Sequence, residues 1–302
     1  ETGRFAEAVG SDVTIAPVTF GSGTEAIEAM FAGKLDASFI GPNPAINGYA
    51  KSGGEALRIV AGTTSGGASL VVRAGIESPA DLAGARLATP SLGNTQDVAL
   101  RAWLAEQGFT TDTSGGGDVA ITPQENADTL AAFQNGDIDG AWVPEPWATR
   151  LVAEGGGTVL VDEADLWPDG RFVTTHLIVA TEFLDEHPDV VRDLIAGLGE
   201  SVDVAAGDAA EAQRITNDGI ERITTKRLPD ATIAGAWEHL EFTLDPIATS
   251  LRQSADDAIA ADLLDPVDLG DPGIYDLTLL NEVLGERGDD AVDDASDQAA
   301  GS

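Results

Sequence analysis

One eleven-residue pattern occurs twice in this chain, and it limits the fold to helices feeding strands. Residues 29–39 (AMFAGKLDASF) and 132–142 (AFQNGDIDGAW) align at a constant offset of 103: a helix end, glycine, one residue, Leu or Ile, Asp, two small residues, an aromatic. Gly33 and Gly136 stand where a helix ends in the left-handed conformation that glycine adopts without steric cost. Leu35 and Ile138 then restart a buried strand. Such punctuation is common to α/β folds of many functions. Both copies, however, run on into proline-rich loops, residues 41–44 (GPNP) and 144–146 (PEP). Loops at strand ends border the ligand crevice of open α/β sheets.

Strand and helix patterns alternate around the two copies. Residues 13–20 alternate like a strand, 24–32 have helical spacing, 37–40 form a short apolar strand, and a helix runs from about 44 to 51. A strand at 57–61 leads into a glycine-rich turn, 62–67 (GTTSGG), and a strand at 68–73. From Ser78 the rhythm restarts with a short capped helix, a strand at 85–88, a loop at 89–93 and a helix to about 107. After 171–176 (RFVTTH) comes a strand at 177–180 and then a largely helical stretch to about 280, with no third sheet.

A length of 302 residues is near twice the size of one ordinary domain. The expected organisation is one lobe from residues 1–77 plus 175–302 and a second from 78–174, with crossings near 73–78 and 174–177 acting as a hinge. Residues 1–8 read as the tail of a helix, with the lobe's N-terminal strand missing before it. Residues 285–302 are acidic, small and poor in apolar side chains, and are expected to form a disordered tail.

Acidic residues outnumber basic ones 52 to 16, for a formal net charge of −36. Such a surface repels an extended phosphate backbone, so nucleic acid is excluded as a partner. The acidity fits either solubility at high salt or a lysine-poor, arginine-preferring composition. With no cysteine, thiol catalysis, disulfides and Cys-ligated zinc are excluded together. His176, His187 and His239 are scattered, there is no phosphate-loop signature, and none of Lys34, Lys51 and Lys226 ends a strand as a Schiff-base lysine would. Glu145 and Asp139 flank one strand at opposite ends, too far apart for a catalytic pair. No catalytic residue, metal site or cofactor is expected.

Five segments, 38–45 (SFIGPNPA), 66–72 (GGASLVV), 90–97 (PSLGNTQD), 140–147 (GAWVPEPW) and 174–176 (TTH), together resemble the solute-binding proteins of ABC importers for sulfonates, taurine and nitrate. The resemblance spans residues 1–285 in order. It implies a type II periplasmic-binding-protein fold: two α/β lobes joined by two hinge strands, with a cleft that closes on an oxyanion. It further implies a monomeric, non-enzymatic, extracytoplasmic receptor that delivers an aliphatic sulfonate or taurine to ABC permease subunits. The place would be the periplasm or, with a lipid anchor, the outer face of the cell membrane. Nitrate or bicarbonate is the alternative ligand, and an enzyme of the same fold the alternative class. Family members begin with a strand and loop that contribute to the cleft, and this chain aligns after them.

The candidate anion site centres on Ser91, Gly93, Asn94, Thr95 and Gln96. Asn94, three residues before Asp97, forms a capping pair that opens a helix. Its N-H groups and positive dipole end suit an anion, although an ordinary capped helix has the same sequence. Gly41, Pro42 and Asn43 join the site as the loop ending the first copy. Thr63, Thr64 and Ser65 are hydroxyl donors or a plain connection. Trp142 reads as core, whereas Glu145 and Trp147 belong to the loop ending the second copy, with Trp147 a wall for the ligand's organic part. His176 is either structural or a donor at the lobe junction. Arg101 has three readings: long-range positive potential, a pair with Glu145, or a solvated surface charge.

Overall fold

The computed structural model describes residues 2–270 and 273–294. In chain order, the first part comprises α1 (Arg4–Val9), α2 (Gly23–Phe31), β1 (Ala37–Ile40), α3 (Pro42–Lys51), β2 (Leu57–Gly66) and β3 (Ala68–Val72). Then follow β4 (Arg86–Thr89), α4 (Thr95–Glu106), β5 (Ala120–Pro123), α5 (Asn126–Asn135), β6 (Gly140–Pro144), α6 (Trp147–Ala153) and β7 (Thr158–Asp162). The last part is β8 (Val173–Ala180), α7 (Thr181–Glu186), α8 (Pro188–Gly207), α9 (Ala209–Thr224), α10 (Asp230–Trp237), β9 (Leu240–Phe242), α11 (Ala248–Ala260) and α12 (Thr278–Arg287).

The strands form two sheets, ordered β1-β8-β2-β9 and β5-β4-β6-β3-β7. In the second sheet β4 is parallel to β5 and β6, and β3 runs antiparallel to β6 and β7. Both faces of this sheet are covered, which is why its strands read as unbroken apolar runs. Leu70, Val72, Leu87 and Trp142 pack with Leu100 and Leu104 of α4 on one face. Val71, Ala88, Ala141 and Val143 meet Phe133 and Leu151, from α5 and α6, on the other. In the first sheet, Ile59 and Ile178 pack with Ile46 and Leu251 of α3 and α11, while Leu177 and Val179 pack with Val191, Ile195 and Leu280 of α8 and α12. The repeated motif behaves as read: Gly33 and Gly136 have φ of 64° and 84°, and each precedes a strand, one per sheet.

Several expectations are corrected. The 62–67 turn is instead the continuation of β2, laddered onto β8 and β9 with register shifts. The expected crossing at 73–78 falls earlier, at Gly66–Gly67, because β3 pairs with β6 and β7 of the second sheet. The return lies between Asp162 and Val173. Residues 13–20 belong to neither sheet, and Ile15, Val18 and Phe20 are exposed. The alternation is present, but a strand exists only with a ladder partner, and a cavity separates this segment from β1, the edge strand. The 285–302 tail is also revised: α12 continues to Arg287, the Val292 N-H donates to Asn281 Oδ1 (2.9 Å), and Asn281 Nδ2 donates to the Val292 carbonyl (3.0 Å). Residues 295–302 lie outside the described residues. Among the described residues no helix is long and apolar enough to cross a membrane.

Candidate functional site

α4 begins at a loop between the sheets because its first turn is tied down from within. Asn94 Oδ1 accepts the Asp97 N-H (3.0 Å), and Asn94 Nδ2 donates to Gln96 Oε1 (3.2 Å). Thr95 and Gln96 occupy the first two helical positions, whose N-H groups have no acceptor within the helix. Asp97 is fully buried. Its carboxylate accepts from Thr89 Oγ1 (2.8 Å), the Gly93 N-H (2.9 Å), and Arg101 Nε and Nη2 (3.0 and 3.3 Å). Arg101 is 4% exposed and also donates to the Asp112 carbonyl (3.1 Å). It is therefore neither a solvated charge nor a partner of Glu145: it neutralises the carboxylate that shapes the loop. The Gly93 amide is consumed by the same carboxylate and is not free for a ligand.

The open face of this turn looks into a cavity of about 1020 Å³. At that end the lining comes from both halves of the molecule: Gly41 from the β1–α3 junction, Pro90, Ser91, Asn94, Thr95 and Gln96 around α4, Asn126 and Pro144 from the second sheet's loops, and Thr174 and Thr175 from β8. The charged lining residues, Lys34 and Asp36, come from the segment leading into β1. The two halves approach closely here. A Cβ at Gly41 would stand 2.8 Å from Thr95 Oγ1, so a side chain there would push the Thr95 hydroxyl aside. Away from α4 the lining is mainly apolar, with Val13, Ile15, Val18, Phe39, Val190 and Leu194 beside Thr14, Thr19 and the charged pair.

Of the residues anticipated for binding, the fold gathers Gly41, Ser91, Asn94, Thr95 and Gln96 at the cavity; the rest serve elsewhere. Pro42 is the buried first residue of α3, and Asn43 Nδ2 donates to the Ser254 carbonyl (3.2 Å), tying α3 to α11. Thr63 Oγ1 donates to the Thr175 carbonyl (2.9 Å) and lies within hydrogen-bond reach of Thr64 Oγ1 (3.5 Å), while Ser65 Oγ accepts the Phe172 N-H (3.2 Å). The Thr63 and Ser65 hydroxyls clasp β2 to the returning chain. Glu145 accepts from the Thr149 N-H and Oγ1 (3.1 and 3.0 Å) at the start of α6, and burial raises its pKa. Trp147 lies under the Arg150 guanidinium, 4.4 Å from the ring centre.

His176 is fully buried in β8, between β1 and β2. Its Nε2 is 3.0 Å from the Pro246 carbonyl, and burial pushes its pKa down to about 4. A neutral ring there presents no charge to an anion. Asn126, Thr174 and Thr175 line the cavity without having been singled out for this role. Asn126 opens α5 just ahead of the second motif copy, and its Oδ1 is buried without a protein partner. Only its position relative to the repeat could have pointed to it.

A model of the NMT1-like family matches residues 1–217. The taurine-binding periplasmic protein of Escherichia coli (strain K12) is 30% identical over 173 residues, covering 57% of this chain and 52% of that protein. The chain spans about 59% of the length of the first curated relatives it matches, putative binding proteins of Brucella. Among solved structures, the alkanesulfonate-binding protein SsuA from Xanthomonas axonopodis pv. citri bound to MOPS superposes with a TM-score of 0.72 at 19% identity, over 89% of this chain and 91% of that one. The periplasmic nitrate-binding protein NrtA from Synechocystis PCC 6803 gives 0.71 at 15% identity, over 88% and 79%. The fold is that of the two-lobed periplasmic binding proteins.

Proposed function

Because the chain belongs to the NMT1-like family, we propose that it is an extracytoplasmic receptor that captures a small organic oxyanion and hands it to an ABC permease. An aliphatic sulfonate or taurine is the ligand class. The observation that carries this reading is the first turn of α4: free N-H groups of Thr95 and Gln96 at the positive end of a twelve-residue helix, facing a cavity lined from both sheets. Fixed dipoles act within a few ångströms in a sheltered cleft, whereas surface carboxylates are screened beyond about 8 Å in physiological salt. A site of this kind therefore works in a protein of net charge −36. The mainly apolar remainder of the cavity gives room for an organic tail, which favours a sulfonate over nitrate.

The receptor performs no chemistry on its ligand. The buried ionisable groups with the largest shifts, His176, Glu163 and Tyr275, do not line this cavity. The relatives that carry functional names are named as binding proteins, which supports the same reading. It works outside the cytoplasm, as a monomer, with a permease as its macromolecular partner. Calorimetry against taurine, alkanesulfonates, nitrate, bicarbonate and sulfate tests the assignment. Micromolar or tighter binding of a sulfonate with no turnover is expected. Preference for nitrate or bicarbonate would replace the ligand class, and consumption of any ligand would make the protein an enzyme.

A further inference from the structure

The direction of one side-chain amide at the proposed anion site is set by the backbone. The Asp97 N-H can only donate, so the Asn94 atom that meets it (3.0 Å) is the acceptor, Oδ1. The other end of that amide, Nδ2, can then only donate, and the Gln96 atom facing it at 3.2 Å is Oε1. Gln96 Nε2 is thereby left as the far end of a relay that starts at a backbone N-H. Gln96 is 6% exposed and borders the cavity, and among the described residues its Nε2 has no acceptor.

Three groups in this turn therefore donate and never accept: the N-H of Thr95, the N-H of Gln96, and Gln96 Nε2. The hydroxyls of Ser91 and Thr95, which also line the cavity, have no fixed direction, since each can do either. Acceptors at this end are already committed or turned away. Asn94 Oδ1 holds the Asp97 N-H, the Asp97 carboxylate is engaged by Thr89, Gly93 and Arg101, and Asn126 Oδ1 is buried away from solvent.

We propose that the Asn94–Gln96 relay restricts the ligand to oxyanions whose oxygens carry no hydrogen. The anion of a strong acid, such as a sulfonate, is then preferred to a monoanion of equal charge that keeps an O-H, such as a hydrogen phosphonate or hydrogencarbonate. This rests on the reading of the α4 turn as the oxyanion site. Seated there, a three-oxygen head brings acceptors to three donors. An O-H among those oxygens either meets an N-H head-on or leaves one donor of a sheltered site without a partner. Charge alone does not make this distinction, because the helix dipole acts alike on both monoanions. In this arrangement Asn94 is a positioning residue, and Gln96 is the group it aims.

Calorimetry at about pH 5 compares ethanesulfonate with ethylphosphonate, which match in shape and, below a second ionisation of the phosphate type, in charge, and differ by one O-H. The unmodified protein should prefer the sulfonate by about ten- to a hundredfold. Gln96→Met removes the aimed donor and should weaken sulfonate binding by about tenfold while narrowing the preference. Asn94→Asp keeps a cap as good as Asn, but its second oxygen requires a donor and turns the Gln96 amide around, Oε1 toward the ligand. The added charge weakens both monoanions alike, so the ratio of the two affinities reads the amide direction and should vanish or reverse. A sulfonate bound without preference, or a preference unmoved in both variants, would overturn the relay and leave the site standing. Failure of every sulfonate to bind would overturn the site and the relay with it.

Discussion

At Asp97 four donors converge on one buried carboxylate, and this residue, more than any that faces the cavity, explains the shape of the proposed anion site. Arg101 is its charge partner. Replacing Arg101 with Gln leaves a buried, unpaired carboxylate, so a loss of about 3–5 kcal/mol is expected in urea unfolding. Thr95→Val should act oppositely: little change in stability, with ligand affinity lower by about 1–3 kcal/mol, one to two decades, as one hydroxyl donor is removed. Calorimetry beside unfolding curves on both variants separates the roles; affinity lost at Arg101 with stability intact would make this a charge-paired site. His176 gives a pH signature. Its folded pKa of about 4 lies below the ordinary histidine value, so its contribution is complete above about pH 6.5. That contribution drains as pH falls from there toward 4, by about 1.4 kcal/mol per unit. His176→Gln should flatten this acid decline in the urea midpoint, and an unchanged slope would show that another group causes it.

At the level of elements, the decisive contact is between the β1–α3 loop and the start of α4. Gly41 leaves room for it, since a methyl there would stand 2.8 Å from Thr95 Oγ1. Gly41→Ala should weaken ligand affinity by about tenfold or more through overpacking in the closed state, with only a small shift in melting temperature because an open state lacks the contact. Unchanged affinity with lost stability would mean that the contact never opens. The strands show how register reallocates residues. Thr63 and Ser65, read as donors on a turn, are laddered into β2, and their hydroxyls hold the chain returning as β8.

For the whole molecule, two sheets share one chain that crosses at Gly66–Gly67 and again between Asp162 and Val173. The bodies proposed to move are the first sheet with its helices and the second sheet with its own, a division shifted from 77 to about 66 relative to the sequence reading. A ligand touching both faces favours only the state in which both contacts exist. Saturating sulfonate should therefore shrink the radius of gyration; scattering curves indifferent to ligand would count against a hinge at these crossings.

The sequence by itself determined the alternating α/β class, the two motif copies with their left-handed glycines, the capped start of α4 and the family. These are written in local patterns: periodicity, a cap three residues from its partner, a glycine after a helix. Tertiary structure decided what depends on neighbours distant in the chain. Residues 13–20 have a strand's alternation but no ladder partner, and β3 joined the second sheet because β6 and β7 were there to pair with it. Arg101 became structural because Thr111 and Asp112 fold over it beside Asp97, and His176 became neutral because β2 and the Pro246 carbonyl enclose it. Burial, which sets the cost of a charge, is a property of the assembled fold and not of the residue.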